Sequence, residues 1–177
     1  MTTTLKAAPE FTPLSPADWQ TSLGTACAQL LSQQDRVVLC ITGRTGTGKT
    51  TFGRRLRKEG LPGIPARHIA VLDDGTLSHM VLGIWHRRIR IPAQTRDELA
   101  PFEPYLKRKR VLVYVHGNPG VRLSACDIRL HLLCPEDLRH QRLLNRNVDG
   151  EQRYQRSIDK GDPPDILARL AYSLNVG

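Results

Sequence analysis

Eight consecutive residues, Gly43-Arg44-Thr45-Gly46-Thr47-Gly48-Lys49-Thr50, constrain this chain more than any other feature. They follow Val37-Val38-Leu39-Cys40-Ile41, an apolar run rich in β-branched residues, as expected of a central parallel strand covered on both faces. They open a helical stretch, Thr50 to Glu59, in which Phe52 and Leu56 stand one turn apart and Gly60 stops the pattern. A strand, a G-x-x-x-x-G-K-[ST] turn and a helix in that order make a phosphate-binding loop. Glycines let successive backbone N–H groups turn inward around phosphate oxygens, at a helix end whose partial positive charge adds to the attraction. In this pattern Lys49, exposed until nucleotide arrives, reaches the β and γ phosphates. The Thr50 hydroxyl ligates Mg2+, and Thr51 completes the nucleotide-binding stretch. Adenine is expected over guanine, because no N/T-K-x-D guanine-reading motif follows the loop.

Strands and helices then alternate. His68 to Leu72 reads as a second buried strand running into Asp73-Asp74-Gly75, Val111 to Val115 as a third leading to His116-Gly117-Asn118, and Ile128 to Leu133 as a fourth. Ser15, followed by Pro16 and Asp18, caps an amphipathic helix carrying Trp19, Leu23, Ala26, Cys27, Leu30 and Leu31. Thr76 to Pro92 supports two patterns: Met80, Val81, Ile84 and Trp85 fit a helix, whereas Ile89 and Ile91 alternate with arginines. Thr95 and Glu98 form a capping box for a helix toward Lys107, shortened by Pro101 and Pro104. A helix after Pro135 runs to about Asn145, and further helices are expected near Glu151 to Lys160 and Ile166 to Leu174. This alternation predicts an α/β domain with a parallel sheet, whose ligands bind beyond the carboxyl ends of the strands. Residues 1–14, rich in Thr and Pro, are expected to form a flexible arm, and residues 15–177 a single domain.

With 26 Lys+Arg against 17 Asp+Glu, the 177-residue chain has a net charge of +9, which points to an anionic partner: nucleotide, phosphorylated metabolite, nucleic acid or acidic protein. Two runs concentrate that charge, His86-Arg87-Arg88-x-Arg90 and Lys107-Arg108-Lys109-Arg110. Few aromatics interleave with either, which weakens a reading as a single-strand nucleic-acid binder. No apolar run approaches the roughly 18 to 20 residues that span a bilayer. Met1 to Phe11 holds no secretory signal, so a cytoplasmic location is expected. Cys27, Cys40, Cys126 and Cys134 lack C-x-x-C spacing and read as buried thiols rather than a disulfide or zinc site.

With these parts in this order, the chain resembles the P-loop kinases of small molecules, most closely the uridine kinase and phosphoribulokinase group, over roughly Val37 to Arg156. The resemblance implies a three-layer α/β P-loop NTPase fold with a mainly parallel sheet and an arginine-bearing lid helix. It implies that Asp73 or Asp74 accepts the proton of an acceptor hydroxyl, and that Asp73 joins Thr50 in organising Mg2+. Arg139, Arg142 and Arg146, three and four apart, share one helix face while Leu138, Leu143 and Leu144 turn toward the core. Arg142 and Arg146, followed by Asn147, resemble the lid arginines that close over the phosphates, and Arg153 and Arg156 extend the same lid. His116 stands where the family carries a Glu or Asp; imidazole is a poor ligand for Mg2+, so His116 either faces the substrate or serves the structure. Arg87, Arg88 and Arg90 fall in the segment that builds the acceptor site. The implied activity is transfer of the ATP γ-phosphoryl group to a hydroxyl of a small anionic metabolite of nucleoside, sugar or phosphosugar type. The alternative is a non-catalytic ATP-binding regulatory module that contacts a protein or nucleic acid through its basic surface.

Overall fold

A computed structural model of the chain describes residues 10–81, 85–91, 99–146 and 148–177. In chain order the elements are β1 (Thr12–Leu14), α1 (Trp19–Leu31), β2 (Val37–Thr42), α2 (Lys49–Glu59), β3 (Ile69–Asp73), β4 (Thr76–Val81), β5 (Trp85–Arg90), α3 (Glu103–Leu106), β6 (Val111–Val115), β7 (Ala125–Leu133), α4 (Glu136–Leu144), α5 (Gly150–Asp159) and β8 (Leu167–Asn175). The strands form one sheet in the order β1-β8-β7-β2-β6-β3-β4-β5. All neighbours are parallel except β3 with β4 and β4 with β5.

β2 is flanked on both sides, with Leu39 opposite Val113 of β6 and Ile128 of β7, so its unbroken apolar run is buried on both faces. On one face Leu39, Ile41, Val113 and Leu130 pack against Leu23, Leu30, Phe52 and Leu56 of α1 and α2. On the other, Cys40, Leu72, Leu112 and Tyr114 pack against Phe102, Leu106 and Leu123. This is the three-layer α/β arrangement with a mainly parallel sheet. Cys27, Cys40 and Cys126 are buried, and Cys134 is half-buried.

Three expectations change, and an open one is decided. Thr12–Leu14, assigned to the arm, pair with β8 as the outermost strand. The Ser15 carbonyl accepts the amides of Asp18 and Trp19 at 3.1 and 3.0 Å in a turn, and α1 begins three residues later than the Ser15 cap predicted. Thr76 to Pro92 follows the strand pattern where it is described, as the antiparallel pair β4 and β5, and Asp74 and Gly75, with φ of 45° and 76°, form the two-residue turn that joins β3 to β4. Ile166 to Leu174, expected to be helical, is mostly β8. Leu170, Tyr172 and Leu174 alternate onto the α1 side of the core, and open edges on β7 and β1 supply a ladder partner on each side. The Thr95–Glu98 capping box lies outside the described residues. Beyond it the chain makes a 3-10 turn at Ala100–Phe102 and then the single turn of α3.

Candidate active site

The loop, Asp73 and His116 gather at the carboxyl ends of β2, β3 and β6, the neighbouring strands at the middle of the sheet. Gly48 caps α2 in the left-handed conformation at φ 89°, and a Cβ there would meet nothing within 4 Å. The first amides of α2 therefore open onto unfilled space, the concavity that a phosphate chain requires. Thr47 is buried and locks the loop from beneath, its hydroxyl donating to the Arg44 carbonyl at 3.0 Å.

Lys49 does not stand exposed as expected. Its ammonium turns back on its own loop and donates to the carbonyls of Gly43 at 2.7 Å and Arg44 at 2.8 Å. Burial is the main reason its pKa falls to about 8; Asp73 and Asp74 oppose the shift, while Arg139 and Arg146 reinforce it.

Thr50 and Asp73 are brought together, close enough for Thr50 to favour the ionised Asp73 carboxylate. Burial raises the pKa of Asp73, with Asp74 adding to the shift and Thr50 opposing it. A hydroxyl and a half-buried carboxylate side by side are hard oxygen donors that suit Mg2+. Asp74 is different: it sits in the turn with its side chain 84% exposed, and its Oδ1 lies 3.3 Å from His116 Nε2. The other ring nitrogen of His116, Nδ1, accepts the Asn118 amide at 2.9 Å, so in the neutral ring Nε2 carries the proton and faces Asp74. The ring also stacks on Tyr114 with centroids 5.7 Å apart. These contacts leave His116 a donor rather than a metal ligand.

The arginines of α4 do not share one solvent-facing side. Arg139 is 1% exposed, and the inward pair is Arg139 with Leu143, while Leu144 faces solvent. Arg139 can be buried because its charge is met: by Glu136 on the same helix, by the Thr45 carbonyl at 3.0 Å, by the Ser157 hydroxyl at 2.6 Å and by the Tyr154 ring. Hydrogen bonds from Arg139 are the first cause that pushes Glu136 down to about 2. Arg44 adds contacts to the Ser157 carbonyl at 3.4 Å, Glu136 at 3.5 Å and Asp162 at 3.8 Å. Two arginines thus tie the loop to α4 and α5. Sequence reading missed both ties, since a charged residue on a short helix gives no sign of facing inward.

Arg142 donates to the Val176 carbonyl at 3.0 Å and to Cys134 Sγ at 3.3 Å, anchoring the end of β8. With Arg146, Gly46, Gly48, Thr51 and Val176 it lines a cleft of about 520 Å³ beside the loop. Arg153 and Arg156 are exposed on α5, and Asn147 lies outside the described residues. On β5 the alternation of side chains separates the predicted acceptor cluster. Arg87 lies over the Tyr105 ring at 5.1 Å and Ile89 packs on the Phe102 side of the sheet, which puts Arg88 and Arg90 on the α2 side.

No helix among the described residues is long and apolar enough to cross a membrane. Among curated proteins, none matches the sequence. Among solved structures, one from Silicibacter sp. TM1040, provisionally named a fructose transport system kinase, is 19% identical over 82% of this chain and 98% of its own, with a TM-score of 0.42. Residues 39–161, spanning the loop, Asp73, His116, α4 and α5, match the family described as AAA domain. With more than half of the chain inside that match, a complete phosphate loop and its flanking strand order, this protein belongs to that AAA domain family and is a P-loop NTPase-like α/β domain.

Proposed function

We propose that the protein transfers the γ-phosphoryl group of ATP to a hydroxyl of a small anionic molecule. The observation that carries this reading is the closeness of Thr50 to Asp73, which sets the hydroxyl of the loop beside a carboxylate at the end of β3. Mg2+ held through Thr50 and Asp73 would neutralise charge on the β and γ phosphates. Lys49 would leave the Gly43 and Arg44 carbonyls and take the phosphate oxygens in their place. Asp73, whose burial makes it a stronger base than a free carboxylate, would accept the proton of the acceptor hydroxyl. Arg146, with Arg142 behind it, supplies positive charge from the cleft wall. Asp74 and His116 support that rim, Asp74 by its turn and His116 by facing it. Asp73 and the arginine-bearing α4 also support the finer placement beside the uridine kinase and phosphoribulokinase group.

The test is ADP release across a panel of sugars, nucleosides and phosphosugars, for the wild type and for Asp73→Asn. Stimulation by one class, falling about tenfold or more in the variant, supports transfer with Asp73 as base. ATP binding with no acceptor-stimulated ADP release would favour the regulatory module, for which His116 in place of an acidic residue is the supporting observation.

A further inference from the structure

The flank of α2 that faces the hairpin carries one stripe of polar side chains. Thr50, Arg54 and Arg57 stand at i, i+4 and i+7, so they lie one above another along the helix. The top of the stripe is the Thr50–Asp73 pair, and Arg54 is near enough to stabilise the charge of Asp73. Further down, Arg88 of β5, one of the two arginines that the strand alternation turns toward α2, is close enough for its charge to act on Arg57. Among the described residues, none of Arg54, Arg57 and Arg88 forms an ion pair with a carboxylate. The Nε of Arg57 is removed from solvent and has no hydrogen-bond partner among the described residues. Burial first, and then the charges of Arg88 and Arg54, make Arg57 hold its proton less firmly than usual.

Arg54 shares its charge with Asp73, but Arg57 and Arg88 act on each other as like charges, and a buried N–H without an acceptor is unfavourable. A phosphate relieves both conditions, because its oxygens accept several charge-assisted hydrogen bonds from guanidinium forks at once. We infer that Arg54, Arg57 and Arg88 form a binding site for the phosphate group of the acceptor, so that the substrate is an alcohol already carrying a phosphate. This inference rests on the phosphotransfer reading for the identity of its ligand, not for the existence of the anion site. The helical rise sets the substrate's length: Arg54 and Arg57 lie roughly 6 and 10 Å along the axis from Thr50. The hydroxyl at Asp73 and the phosphate on the arginines are therefore separated by about that span, as in a phosphorylated polyol or sugar. Arg87, on the far face over Tyr105, takes no part.

The probe is inorganic phosphate, titrated calorimetrically at constant ionic strength while Mg2+ and a non-hydrolysable ATP analogue fill the loop. Phosphate should bind the wild type and Arg87→Gln equally, and about tenfold or more weaker in Arg88→Gln and Arg57→Gln. Since Arg57 and Arg88 repel in the free protein, Arg57→Gln should not lower the melting temperature without phosphate, which separates lost binding from lost folding. Absence of binding, or equal weakening in Arg87→Gln, overturns the site. The same samples report analogue binding. Analogue bound normally without phosphate binding refutes this inference alone, whereas Arg88-dependent phosphate binding without phosphosugar-stimulated ADP release refutes phosphotransfer and leaves the anion site. Given turnover, a carboxylated acceptor that outperforms its phosphorylated counterpart by kcat/KM overturns the assignment to phosphate.

Discussion

Lys49 makes the loop a proton-coupled binding site. In the free protein its pKa is about 8 because of burial, whereas phosphates beside it favour the charged form. Above pH 8, binding must therefore take up a proton, and affinity should fall by up to about tenfold per pH unit. For folding the sign is opposite. The unfolded chain keeps this proton up to about pH 10.5 and the folded chain only to about 8, so the contribution of Lys49 to stability rises with pH between them. Calorimetry at pH 9 in two buffers of different ionisation enthalpy should show proton uptake that vanishes in Lys49→Met; heats independent of buffer would refute the coupling. At the next strand, Asp73→Asn should lower kcat about tenfold or more with ATP affinity nearly kept. Asp74→Asn should leave kcat within a few-fold, since Asn also adopts the positive φ of the turn; equal losses in steady-state assays would give Asp74 the chemistry. The loop was legible because glycine spacing and Lys-Thr order are dictated by the ligand they surround. Arg139 was not, because what makes it an interior residue is contributed by Thr45 and Ser157, far away in sequence.

β2, β3 and β6 were readable from continuous apolar runs that only a buried strand supports, and β7 from Ile128, Leu130 and Leu132 alternating with polar residues. β8 was not: Leu167, Leu170, Ala171 and Leu174 satisfy helical spacing, and strand pairing with β7 and β1 decided the outcome. Hydrogen exchange provides the check, with amides of Leu170 to Leu174 expected to be protected by ladder bonds on both sides and those of Thr12 to Leu14 to exchange faster. Protection confined to one side of β8 would mean that β1 is not docked. The hairpin had a sequence signal, Asp-Gly between apolar runs, but there a turn and chemistry are evenly balanced, because the same residues suit both. Arg139→Met should cost about 1–3 kcal/mol in urea unfolding, as Thr45 and Ser157 lose their donor. It should also speed proteolysis within α5; an unchanged midpoint would show that the loop does not depend on that tie.

Across the molecule, alternation of strands and helices foretold a parallel sheet but not its order, which depends on crossovers that no local pattern encodes. The +9 charge likewise points to an anionic partner without locating it. The run Lys107 to Arg110, one of the two that concentrate that charge, is partly structural: Lys109 is buried and donates to the Arg67 carbonyl at 2.6 Å. Its neighbour Arg36 clamps Glu103 at 2.6 Å and the Leu106 carbonyl at 3.1 Å.

The outer margins of the sheet are β1 and β5. One is three residues long and contains Pro13, which has no N–H to offer an incoming chain; the other carries Arg87, Arg88 and Arg90, whose charges repel a second copy of themselves. Both ends thus discourage one molecule from extending its sheet into the next, so Arg88, assigned above to an anion, also contributes to guarding the sheet margin. Arg88→Thr combined with Arg90→Thr should produce concentration-dependent aggregates in light scattering, relieved by restoring either charge. A double variant that stays monodisperse at high concentration would show that the β5 margin is protected by something other than its charge.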